Sequence, residues 1–400
     1  MTRIRRLTSL TGAIIVLCVP PPVRAADPLP ALTIDLPQTS VSGLSSGAYM
    51  AGQFHVAFSS ILVGVGMVAG GPYGCAEGQL WLALNRCMQM SEGEPDPAAL
   101  LAGAQSLAAT GSVDPMENLA DDRVYVFAGT ADQTVLSSVG ARIPEFYALA
   151  GVPAASIRHD ATVNAGHAFI TENGPVPCVQ TREPFVNDCD IDQAGVILEH
   201  IYGALQPPAT EVHAPIEFSQ AGYLASPEAK GMAATGWAYV PASCVSGTTC
   251  RVHIAFHGCK QTFERVGDAY TAGTGFNRWA ESNNIVVLYP QAHETPGNPN
   301  ACWDWWGYTD QRYATRDGMQ LAAVRRMLLA LAGEGGGGGE FCARHDAWNY
   351  AHWLAGRAVV CGFGFACAAG SGDLLGTFFT ASTVYEHPAS FYTVAACRDE

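Results

Sequence analysis

The sequence predicts an α/β fold built on a mostly parallel central sheet flanked by helices, and three observations carry that expectation. Apolar runs of strand length recur at 61–70, 123–128 and 285–290, continuous rather than alternating, as in strands buried on both faces. Helical stretches are read between and after such runs, at 138–149, 194–205 and 317–331. Serine, aspartate and histidine then stand just past the ends of candidate strands, where open α/β sheets bind their ligands.

Size and composition agree with this reading. At 400 residues the chain can hold one large α/β domain and a smaller appendage. Apolar residues make up 48% and charged residues 14%, the balance of a chain that buries a core. The formal charge is −15, and Lys230 and Lys260 are the only lysines. Nucleic acid or an anionic membrane would require a basic face, so neither is expected as a partner. A neutral or apolar substrate fits better.

Taken from the N-terminus, residues 1–25 read as an export signal. Arg3, Arg5 and Arg6 form its basic start, Leu10 to Val19 its short apolar core, and Val23-Arg24-Ala25 its cleavage site. Removal takes away four arginines and changes the charge from −15 to −19. The alternating segment Leu32-Thr33-Ile34-Asp35-Leu36 is read as a strand feeding Gly43-Leu44-Ser45-Ser46-Gly47, with a helix from Ala48 to Phe58 behind it. That five-residue stretch has the G-x-S-x-G form of a nucleophile elbow, in which a serine sits on a sharp strand-to-helix turn. Its flanking glycines avoid collisions that side chains would cause in so tight a turn. The plain alternative is a Gly/Ser-rich turn.

After the strand at 61–70, residues 71–122 are expected to be irregular apart from a helical patch at 79–90, and to wall a cleft. Strand 123–128 runs into Gly129-Thr130-Ala131-Asp132, and a strand at 155–163 ends in Asn164-Ala165-Gly166-His167. A Pro- and Ala-rich passage at 206–216 separates a second run of α/β units. Strands are read there at 236–240 and 251–256, the second leading to His257-Gly258-Cys259, and a helix at 277–283 precedes the strand at 285–290. The loop beyond holds Cys302-Trp303-Asp304-Trp305-Trp306-Gly307-Tyr308. This assigns 26–332 to a catalytic domain and 333–339 to a Gly-rich linker. Residues 340–400 hold four cysteines and too little core to stand unstapled, so a small disulfide-rich C-terminal appendage is expected.

Of thirteen cysteines Cys18 leaves with the signal, and an even number in an exported chain favours disulfides. Close spacing makes Cys75–Cys87, Cys178–Cys189 and Cys244–Cys250 the expected local pairs. The spacing suits no zinc site, and no metal or cofactor is expected.

Ser45, Asp132 and His167 follow the chain order of a hydrolase triad. A serine hydroxyl is a weak nucleophile until an imidazole takes its proton, and a carboxylate fixes that imidazole's tautomer. Each has a plainer alternative: Asp132 as a helix cap, His167 as a surface histidine, and Asp160 as a rival acid. Two backbone amides must hold the developing oxyanion. One belongs to Ser46, after the nucleophile. The other ordinarily comes from a His-Gly loop preceding the elbow, where the chain has no room for it. The matching loop, Phe256-His257-Gly258-Cys259, lies in the second half, and a circular permutation of an α/β-hydrolase explains the inversion.

These stretches, in this order, resemble the single-domain poly(3-hydroxybutyrate) depolymerases over roughly residues 30–332. The resemblance implies a circularly permuted α/β-hydrolase with Ser45 as nucleophile, His167 as base and Asp132 as its partner. It also implies the Ser46 and Cys259 amides as the oxyanion hole, and an apolar subsite lined by tryptophan, for which Trp305 and Trp306 are favoured. At least one neighbouring tryptophan is expected to serve as core. A Cys259–Cys302 pair that pins the tryptophan loop is a further hypothesis.

The expected function is that of an exported, monomeric serine esterase, periplasmic or extracellular, acting on poly(3-hydroxybutyrate) or its oligomers. The alternatives are an esterase for other neutral esters, such as feruloyl or acetyl groups, and a non-catalytic polymer-binding protein.

Overall fold

The computed structural model describes residues 26–224 and 226–334, and in the C-terminal stretch 343–354, 357–362, 365–368, 374–386 and 392–393. Residues 1–25, read above as an export signal, most of the Gly-rich stretch, Cys342 and Cys397 lie outside the described residues.

The elements are β1 (Thr39–Leu44), α1 (Ser46–Ala57), β2 (Leu62–Val68), α2 (Leu80–Asn85), α3 (Pro97–Ala109), β3 (Arg123–Phe127), α4 (Arg142–Leu149), β4 (Ile157–Asp160) and α5 (Gln193–Tyr202). The second half adds β5 (Ile216–Ser219), β6 (Thr235–Tyr239), β7 (Arg251–Phe256), α6 (Phe276–Asn283), β8 (Ile285–Tyr289) and α7 (Met319–Leu331). Eight strands form one sheet in the order β4-β3-β2-β1-β7-β8-β6-β5. Strands β4 through β8 along this order are parallel, and β6 and β5 close the far side antiparallel.

Numbered in chain order from β5, with β1 following β8, the strand before the His-Gly loop is third and the strand before the elbow is fifth. An α/β-hydrolase takes its second oxyanion donor from the loop after its third strand. The chain therefore builds a circularly permuted α/β-hydrolase sheet, entered at the elbow strand.

Period-two alternation divides the buried strand residues between two cores. Val124, Val126, Val286 and Leu288 pack with α1, α3, α4 and α7, while Tyr125, Phe127, Ile285 and Val287 pack with α5 and α6. Helix α1 is buried on every side, in keeping with an apolar stretch that carries no acidic residue and only His55. Among the described residues no helix is long and apolar enough to cross a membrane.

The strand feeding the elbow is Thr39–Leu44, not Leu32–Leu36. Leu36–Gln38 forms a 3-10 turn around Pro37, and Ile34 makes only an isolated bridge to Cys250. The true strand is disguised because Ser40 and Ser42, polar by type, are fully buried. Their hydroxyls meet His253 at Nδ1 (2.7 Å) and Nε2 (2.8 Å), so the pleat carries serine without an unsatisfied group. The stretch expected to be irregular holds α3, whose start is marked by Asp96. That side chain accepts from the amides of Ala98 and Ala99, with Pro97 at the first helical position. Strand β4 is shorter than expected, and β5 lies at the end of the passage read as a separator.

In the C-terminal stretch, Ala343–Trp348, Ala381–Glu386 and Tyr392–Thr393 form one antiparallel sheet. Ala358–Gly362, Phe365–Ala368 and Leu374–Thr377 form another, in which Cys367 is disulfide-bonded.

Candidate active site

Ser45 occupies the turn between β1 and α1 with φ 56° and ψ −119°, a backbone conformation that side chains rarely adopt. The turn is wedged against the end of β7, which pairs with β1 in register Gly43↔Phe256. A Cβ on Gly47 would lie 2.3 Å from the Phe256 carbonyl oxygen, and one on Gly43 would lie 2.2 Å from that of Gly47. Both glycines are steric requirements of this approach.

The Asp132 and His167 loops are laced together before their side chains meet. The amides of Thr130 and Ala131 donate to the carbonyls of Val163 (2.9 Å) and Ala165 (3.1 Å). Asp132 Oδ2 then lies 2.7 Å from His167 Nδ1, with both side chains nearly excluded from solvent. The other oxygen, Oδ1, accepts from the amides of Thr134 (2.7 Å) and Val135 (3.0 Å). Asp132 is thus a turn cap and a histidine partner at once. His167 is held from behind, its own amide donating to Thr181 Oγ1 at 2.8 Å. Asp160 instead bonds within its own turn, accepting from Thr162 N (3.1 Å) and Oγ1 (2.9 Å).

Ser45 and His167 line one cleft of about 810 Å³, together with Gly258, Cys259, Trp305 and Trp306. Among the described residues the backbone N–H groups of Ser46 and Cys259 have no protein acceptor. Two free donors therefore stand, one at the start of α1, directly after Ser45, and one in the His-Gly loop that lines the same cleft.

The tryptophans divide by environment. Trp303 is fully buried, packed edge-on against Phe256 at 5.0 Å, and acts as core. Trp305 stacks on Tyr49 with centroids 4.0 Å apart, and Trp306 meets it edge-on at 5.7 Å. Asp304 organises this loop, its carboxylate accepting from the amides of Trp306, Gly307, Tyr308 and Thr309. Tyr49 and Asp304 are site residues that motif reading missed. Burial, and secondarily the charge of Asp132, raises the Tyr49 hydroxyl well above its ordinary value, so it acts as a neutral donor, here to the Cys87 carbonyl.

Among the disulfides with both cysteines described, Cys75–Cys87 and Cys259–Cys302 pack with Trp305 and Trp306, Cys178–Cys189 lies beside the His167 loop, and Cys244–Cys250 staples the turn that enters β7. Cys259–Cys302 joins the His-Gly loop to the tryptophan loop across 43 residues. Cys302→Ser should lower kcat on a soluble ester while far-UV circular dichroism keeps its native shape. The chain-entropy contribution of such a link is at most about 4 kcal/mol, which the two cores can absorb. Unchanged kcat in the reduced-loop variant would show that the link does not position the loop.

No protein-family model matches the sequence. A poly(3-hydroxybutyrate) depolymerase of Delftia acidovorans is 42% identical over 332 residues, which cover 82% of this chain and 66% of that one, just under two thirds. A polyhydroxybutyrate depolymerase of Talaromyces funiculosus is 36% identical over 322 residues, 75% of this chain and 91% of the relative. The crystal structure of a PHB depolymerase from Penicillium funiculosum superposes with a TM-score of 0.70 at 34% identity, covering 77% of this chain and 99% of that one. The same values hold for a serine-to-alanine PHB depolymerase complexed with an R3HB trimer.

Proposed function

The chain belongs to the poly(3-hydroxybutyrate) depolymerase family, and from that premise we propose that it hydrolyses poly(3-hydroxybutyrate) or its oligomers through Ser45, His167 and Asp132. The observation that carries the reading is the 2.7 Å contact between Asp132 and His167, whose side chain lines the same cleft as the strained Ser45. Asp132 accepts a hydrogen bond from the Nδ1–H of His167, which leaves Nε2 free to take the proton of Ser45. The hydroxyl oxygen attacks the ester carbonyl, and the amides of Ser46 and Cys259 receive the oxyanion. His167 then gives that proton to the departing alkoxy oxygen of the polymer, which leaves as a free hydroxyl end, and an acyl-serine remains. Water, activated by the same imidazole, releases the acid and restores Ser45. Each amide of such a pair is worth about 10²–10³ in rate.

A neutral polyester suits a cleft walled by Trp305, Trp306 and Tyr49, which bind apolar surface without ionic contacts. The polymer reading gains support from the lip of the cleft. Leu80 and Leu84 line it while remaining 49% and 45% exposed, and Trp81 between them is 62% exposed. Trp81→Ala should weaken adsorption to amorphous polymer about five- to thirtyfold, the equivalent of about 1–2 kcal/mol of lost apolar burial. Turnover of a p-nitrophenyl ester should stay within twofold. Equal adsorption by both proteins would remove the lip from the account.

The paired cysteines support export, with 1–25 as the signal, 26–332 as a catalytic unit acting as a single chain, and 333–339 leading to the appendage at 340–400. The test is a product profile of the purified protein on amorphous polymer, soluble 3-hydroxybutyrate oligomers, a p-nitrophenyl ester and a feruloyl ester. Release of 3-hydroxybutyrate or short oligomers is expected. Turnover of the feruloyl ester alone would move the assignment to plant-polysaccharide esters, and binding of polymer without turnover of any ester would make it a binding protein.

A further inference from the structure

His257 stands outside the triad, yet it is fully buried at the root of the loop that carries the Cys259 amide. Its ring nitrogens have two partners of different kinds. Nε2 lies 3.0 Å from the backbone N–H of Ala292, which can only donate. Nε2 must therefore accept, and the neutral ring carries its proton on Nδ1. That nitrogen lies 2.7 Å from the carbonyl oxygen of Gly258. The bond anchors one end of a single peptide unit, because the Gly258 carbonyl and the Cys259 N–H share it. In a planar trans peptide these two groups point in opposite directions. Holding the carbonyl toward the ring thus turns the Cys259 N–H away from it, and that N–H has no protein acceptor among the described residues.

Neighbouring contacts leave this peptide little other freedom. The Gly258 amide donates to Gln261 Oε1 at 2.8 Å, and the Lys260 amide donates to the Asn300 carbonyl at 2.7 Å. The ring itself is wedged against Trp303, with centroids 5.3 Å apart. Burial pushes the His257 imidazole down to about 4, which keeps it neutral and the Nδ1–H donor in place at neutral pH.

We infer that His257 is a positioning residue for the proposed hydrolysis: its Nδ1–H bond to the Gly258 carbonyl aims the Cys259 amide at the oxyanion. The inference rests on the hydrolase reading above. Two substitutions separate aiming from mere packing. His257→Asn keeps a donor where Nδ1 stood and gives up the Ala292 contact. His257→Gln reaches Ala292 and gives up that donor. Aiming predicts that the Gln variant loses kcat on a soluble p-nitrophenyl ester by about 10²-fold with KM within about twofold, as for a lost oxyanion donor. Its affinity for a boronate mimic of the tetrahedral intermediate should fall in parallel, and the Asn variant should recover at least tenfold of the kcat.

Equal kcat in the two variants, with the wild type active, would overturn the positioning role alone, whereas a wild type inactive on every ester would overturn the hydrolase reading. Should neither variant fold, ¹⁵N-histidine spectra of the unmodified protein still decide. They should place the His257 proton on Nδ1, and a proton on Nε2 would overturn the inference.

Discussion

Ser45→Ala should abolish ester hydrolysis while leaving the protein folded. Serine and alanine share a Cβ, so the backbone at φ 56° is no more strained with one than with the other. The Ser45 amide still donates to the Val68 carbonyl at 2.9 Å, which keeps the turn tied to β2. What disappears is the oxygen that would form the acyl bond. Removing the nucleophile of a coupled triad lowers kcat by about 10⁶-fold, about as much as removing all three members. Melting temperature and denaturant midpoint should stay close to those of the parent, within about 1 kcal/mol. Residual 3-hydroxybutyrate release above one part in about 10⁴ would mean that another group attacks the ester.

Gly47→Ala should do comparable damage by a different route, through geometry rather than chemistry. The added methyl would sit 2.3 Å from the Phe256 carbonyl oxygen and 2.5 Å from that of His257. Both atoms belong to the backbone of β7 and the loop beyond it, so no side chain can swing aside to make room. Relief requires the elbow and the His-Gly loop to separate, and those two segments carry the amides of Ser46 and Cys259. Overpacking of this kind costs about 1–3 kcal/mol, and more where only backbone can yield. kcat should fall further than stability does, by about 10²-fold or more in the molecules that still fold, because the two amides proposed to hold the oxyanion would no longer share a target. Denaturant unfolding paired with active-site-titrated kcat measures both effects. A Gly47→Ala protein with parental stability and turnover would contradict so close an approach of the two segments.

The reach of local reasoning follows the range of the forces involved. Cys75–Cys87, Cys178–Cys189 and Cys244–Cys250 are separated by 12, 11 and 6 residues, close enough for chain connectivity alone to bring each pair together. The continuous apolar runs that became β2, β3 and β8 announce strands buried on both faces. Where local signals mislead, a distant partner is responsible. Ser40 and Ser42 look unlike core, and only His253, more than two hundred residues away, makes their burial affordable. Helix α3 bore its cap and proline in plain view, but its Ala-rich body lacks a strong apolar stripe.

By itself the sequence determined the strand-rich α/β class, the order of the serine, acid and histidine loops, and the circular order of the two halves, because turn chemistry, apolar runs and motif order are all written locally. Only the tertiary structure decided that β1 lies beside β7, that Cys259 reaches Cys302, that Trp303 is core while Trp305 and Trp306 face the cleft, and that His257 grips the peptide carrying the Cys259 amide. Those facts join residues far apart in the chain, and contacts of that kind come into being only when the whole sheet closes around its two cores.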